Sequence, residues 1–61
     1  MWTEVEVVVS IEVLKEAGYA IHEHSVGLFG VHYYVMTCKQ GKDVKLMVNP
    51  HSLKVLRMWV K

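Results

Sequence analysis

Two imidazoles flank a carboxylate in His22-Glu23-His24, the constellation in this chain that comes nearest to chemistry. On a strand, positions i and i+2 share a side, so the two rings have the spacing to chelate zinc or copper. A zinc site takes three or four ligands, and the others would have to come from His32, Cys38 or His51, which the sequence leaves unplaced. Alternating polar residues on an edge strand account for the same motif without metal, and we expect neither a metal nor a cofactor. Cys38 would act as a nucleophile only beside a base and an oxyanion site, and a free cysteine is ordinarily a small buried hydrophobe. Neither Gly27-x-x-Gly30 nor Gly41 lies between a strand and a helix, as phosphate-cradling loops do. No residue is therefore assigned a catalytic role.

Aromatic and cationic side chains offer a different chemistry. Phe29, Tyr33, Tyr34 and Trp59 have faces on which bases stack, while Lys39, Lys42, Lys45, Lys54 and Arg57 would meet phosphates. The charge is divided along the chain. Glu4, Glu6, Glu12, Glu16 and Glu23 against Lys15 give residues 1–30 a net −4, and Asp43 against six cations gives residues 31–61 a net +5. The isoelectric point near 7.9 is below that of a strongly basic domain, and no run of the kind that marks RNA-binding sheets is present. Binding of single-stranded nucleic acid through the C-terminal half is thus the alternative reading.

Length limits what can hold such groups in place. Sixty-one residues, 52% apolar and 21% charged, describe one small folded domain spanning 1–61. That is too short for a dinucleotide-binding fold or a (β/α) barrel, and one cysteine makes no internal disulfide. No apolar run approaches the roughly 20 residues that cross a bilayer, so no membrane partner is expected. Met1-Trp2-Thr3-Glu4 lacks the basic and apolar regions of a secretory signal, and the compartment is left open.

The elements follow from periodicity. Ser10 suits a helix N-cap, Ile11, Leu14 and Ala17 recur on one face, and Gly18 stands where a left-handed C-terminal residue is wanted. Thr3 and Glu6 fit a capping box that would start the helix near Glu4, whereas the alternation of Glu4-Val5-Glu6-Val7 and the β-branched residues up to Val9 favour a strand. We read one helix. Tyr19–Val26, Val31–Lys39 and Val44–Asn49 alternate as strands, and Leu53–Val60 is a fourth strand or a short packed segment. The fold class expected is α+β, one N-terminal helix on a three- or four-stranded antiparallel meander. A tight turn at Gln40-Gly41 sets Val35 opposite Leu46 and Tyr33 opposite Val48. The helix then covers Val31, Tyr33, Val35, Val44, Leu46 and Val48, leaving His32, Tyr34, Met36, Cys38, Lys45 and Met47 on the other face.

Leu14-Lys15-Glu16-Ala17-Gly18-Tyr19, Tyr33-Tyr34-Val35, the run from Gly41 through Asn49-Pro50-His51-Ser52, and Val55-Leu56 together resemble the PepSY domain pattern. In that family a helix ending in Gly-Tyr leads into a meander, and a later strand runs into an Asp-(Pro)-x-Thr-Gly corner before a Val-Leu pair. Here Asn49, Ser52 and Leu53 replace the aspartate, threonine and glycine of that corner. The resemblance implies a noncatalytic module, often joined to peptidases as a propeptide or inhibitory domain and usually extracytoplasmic.

These readings lead to a protein-interaction module that regulates a peptidase or associates with itself. Its expected contact residues are Tyr34, Met36 and Met47 on the second sheet face, with Met58 and Trp59 near the C-terminus, because that much apolar surface is unusual on a wet face.

Overall fold

The computed structural model describes all residues 1–61. Strand β1 (Thr3–Val5) is followed by helix α1 (Ile11–Glu16), then by strands β2 (Ala20–Val26), β3 (His32–Thr37), β4 (Asp43–Val48) and β5 (Val55–Val60), with a 3₁₀ turn at Leu28–Gly30. The strands form one antiparallel sheet in the order β1-β5-β4-β3-β2. No helix is long and apolar enough to cross a membrane.

The expected α+β fold is corrected to a mostly-β one: five strands, and a helix of six residues instead of a long N-terminal helix. The capping box at Thr3 is not used. Thr3, Glu4 and Val5 instead pair with Val60, Trp59 and Met58, since β-branched residues suit a pleated strand and a C-terminal strand offers them a free edge. The helix begins only at Ser10, whose hydroxyl accepts from the Val13 amide at 3.2 Å. It ends in a Schellman arrangement, with Tyr19 N–H bonding to the Leu14 carbonyl at 2.9 Å and Gly18 N–H to the Lys15 carbonyl at 3.1 Å. Gly18 takes a φ of 99° to allow this.

The register of the central hairpin also differs from expectation. Thr37 pairs with Asp43 across a five-residue loop, Cys38 to Lys42, so Met36 faces Val44, Tyr34 faces Leu46 and His32 faces Val48. A one-residue slip sends a strand's side chains to opposite faces. Tyr34 and Met36, expected on the open face, lie on the helix side, while Tyr33 and Val35 move to the open side. Two contacts hold this register: Thr37 Oγ1 donates to Asp43 Oδ1 at 2.7 Å, and the Cys38 amide donates to the Lys42 carbonyl at 3.1 Å.

The core is the product of that register. Met36, Val44, Leu46, Val48 and Met58 project from one sheet face onto Leu14 of the helix, ringed by Val9, Ile11, Tyr19, Tyr34, Val55 and Val60. Only seven residues are buried, none of them charged or polar. The other sheet face carries no covering element.

Beyond β4, Asn49 Oδ1 accepts from the amides of His51 (2.8 Å) and Ser52 (3.2 Å), fixing the corner that Pro50 begins. Leu53 closes it with a φ of 59°, a conformation that costs an L-residue about 1–2 kcal/mol. Its side chain is 69% exposed and recovers little packing. Leu53→Gly therefore raises stability by roughly 0.5–1 kcal/mol, the strain relief less the entropy glycine loses on folding, read as a higher urea midpoint. Truncating fully buried Met36 to alanine costs about 2–5 kcal/mol, and Val35→Ala far less. Equal costs at the two positions would contradict the register.

Candidate functional site

The uncovered sheet face is built from successive rows of cross-strand neighbours. Glu4, Trp59, Lys45, Val35 and Glu23 stand opposite one another in turn across all five strands, and Arg57, Met47, Tyr33 and Ser25 form the adjacent row. Trp59, Lys45, Val35, Met47 and Tyr33 are half-buried by one another. Lys45 Nζ lies between two rings, 5.6 Å from the centre of Tyr33 and 5.5 Å from that of Trp59, and those rings are 6.4 Å apart. Arg57 covers the Trp59 ring at 5.0 Å, and Lys61 covers Trp2 at 5.1 Å. Such contacts are cation–π attractions. Gly27 leaves room for the Tyr33 ring, since a Cβ there would stand 2.6 Å from Tyr33 Cε2.

Charge on this face is largely matched. Arg57 grips Glu4 with two nitrogens, Nε at 2.9 Å from Oε2 and the other on Oε1, and Lys61 lies 3.6 Å from Asp43. Lys45 has no ion pair and depends on its two rings. The Arg57 hydrogen bonds hold the Glu4 carboxyl below its ordinary value against the opposing effect of desolvation, and the same hydrogen bonds raise Arg57.

Of the residues expected to contact a partner, Met47 and Trp59 stand on this face, whereas Met36 and Met58 are buried in the core and Tyr34 packs against it. The cations expected to meet phosphates do not form one patch. Lys39 and Lys42 are in the β3–β4 loop, Lys54 is in the β4–β5 loop at the opposite end of the sheet, and only Lys45 and Arg57 share the open face. Trp2, Tyr33 and Val35 join the site although the sequence reading did not put them there. Alternation could have indicated Tyr33 and Val35 had the register been known.

Elsewhere, a bulge between Ile21 and Glu23 breaks the alternation that would have set His22 and His24 on one side. His24 meets His32 instead. No group of three or more His, Cys, Asp or Glu residues gathers as a metal cage. Cys38 is buried. Desolvation pushes its thiol up, but hydrogen bonds from the Lys42 and Gln40 backbone and from the Tyr19 hydroxyl outweigh this and lower it. Desolvation is the main cause of the raised Tyr19 hydroxyl, with Cys38 adding to it.

A depressed carboxyl contributes stability that is complete above its ordinary value, 4.5 for Glu4, and is lost as pH falls through the lower folded value. The β1–β5 contact should therefore loosen only in acid below that point. Protection factors of the amides bonded across the β1–β5 ladder should fall there in the natural chain, and already at neutral pH in Glu4→Gln. Equal protection in both chains at neutral pH would remove the role given to this pair. Comparison with protein-family models, curated proteins and solved structures found no match to this chain.

Proposed function

We propose that this chain is a noncatalytic interaction module that docks a second copy of itself through the open sheet face. The observation that carries the reading is the uncovered surface of Trp59, Lys45, Val35, Met47 and Tyr33, from two adjacent rows, on a domain with so small a core. A face of this composition has the aromatic and methionine content of interface centres, with charges at its margins. Surface area supports it as well. A compact monomer of 7.0 kDa exposes about 4,000 Å², and this chain exposes 4495 Å².

Both signs of charge occur on the face, so two copies can oppose each other without net repulsion. Lys45, which has no ion pair within its own chain, has Glu23 of a second copy as an available counter-charge. Three strands of six residues flanked by β1 of three and β2 of seven, about 4.8 Å apart and at about 3.3 Å per residue, give a projected footprint of roughly 400 Å². Two such faces bury roughly 800 Å² together, less than a stable specific interface and in the range of weak, transient association. The matched charge favours this reading over nucleic acid, which would require free cations in one patch. A peptidase, the partner implied by the PepSY likeness, competes for the same face.

Sedimentation equilibrium tests self-association. A dimer forming in the micromolar range is expected, and Met47→Glu or Trp59→Glu should leave it monomeric with an unchanged far-UV spectrum, because each would bury a carboxylate. A natural chain that stays monomeric to millimolar concentration overturns self-association. Salt-sensitive binding of a labelled single-stranded oligonucleotide, lost on Lys45→Glu with Arg57→Glu, would establish the nucleic-acid reading instead.

A further inference from the structure

On the helix side of the sheet, away from the open face, His24 Nε2 and His32 Nδ1 approach to 2.6 Å. The ring planes are within 16° of parallel and their centres are 4.8 Å apart. That separation is close to the nitrogen–nitrogen distance plus the two ring radii, so the imidazoles meet edge to edge with their nitrogens facing. Tyr34 lies flat against His24, with centres 4.5 Å apart and planes 6° apart, and fixes the ring from one side. The β2 bulge brings this about, because it turns His24 to the face that Tyr34 and His32 share.

Two facing ring nitrogens 2.6 Å apart admit one proton between them or, if opened slightly, a metal ion. We infer that His24 and His32 form a two-imidazole site for a late first-row divalent cation, Cu(II) in preference to Zn(II). Imidazole nitrogen is a favoured ligand for both, and copper binds such donors more tightly. Nitrogens each about 2.0–2.1 Å from one ion stand roughly 3 Å apart at a right angle, so the pair has to open by about 0.4 Å while the rings turn toward a common point. His24 is exposed and His32 half-buried, and neither belongs to the buried core. On binding, the proton held between the rings moves to the outer nitrogen of the ring that carried it. Each imidazole then stays neutral, with one N–H facing outward. Water fills the remaining coordination positions.

The test is titration of the purified, untagged chain with Cu(II) in a non-chelating buffer, followed by calorimetry and by electron paramagnetic resonance. One equivalent should bind with a spectrum showing coupling to two nitrogens. His24→Ala and His32→Ala should each weaken binding at least tenfold, while His22→Ala and His51→Ala change it less than twofold. Zn(II) should raise the melting temperature of the natural chain by mass action and leave that of the folded His24→Ala chain unmoved. Binding that survives within twofold in the His24→Ala/His32→Ala chain overturns the assignment. So does a natural chain that binds no more tightly than either single variant.

Discussion

The pairing of β3 with β4 in one register is the constraint on which the rest of the molecule depends. With Thr37 opposite Asp43, every even-numbered residue from His32 to Val48 in these two strands falls on the helix side and every odd-numbered one on the other. Met36, Leu46 and Val48 then become the most deeply buried side chains, and Tyr33, Val35, Lys45 and Met47 are left as a connected outer surface. Thr37, Asp43 and the Cys38–Lys42 loop are few residues, yet they determine which half of the hairpin is core and which is available to a partner.

Much of the strand content is legible in the sequence, and its register is not. Period-two alternation marks β2, β3 and β4, Ser10 and Gly18 bracket the helix, and Asn49-Pro50 marks a corner. The alternation in β3 has no polar side, however. Tyr33 and Val35 are as apolar as Tyr34 and Met36, so hydrophobicity cannot decide between a tight turn at Gln40-Gly41 and the wider loop observed. Strand β1 is obscure for another reason. Its partner is β5, more than fifty residues away, and a local capping-box pattern fits its sequence equally well. The meeting of His24 with His32 depends on a bulge, which alternation alone does not indicate.

The sheet has two unlike margins. β1 is only three residues long and is clasped by the Glu4–Arg57 contact, whereas β2 is seven residues long, exposed along its whole length and paired on one side only. Long free edges invite further strands. Glu23 and the bulge at His22 interrupt this one, giving it a charge and a kink where a flat, apolar edge would recruit neighbours.

The joining of the first strand to the last has a consequence for how the chain reaches its folded state. The β2–β3, β3–β4 and β4–β5 pairings each close a short loop, but Thr3 must find Val60 across almost the entire sequence. Closing so long a loop is entropically worthwhile only once β5 is in place to receive it. The hairpins therefore form the folding nucleus and β1 docks after the main barrier, so weakening β1 speeds unfolding while leaving the folding rate nearly unchanged. The residues nearest the N-terminus thus set the lifetime of the native state more than the speed of its formation.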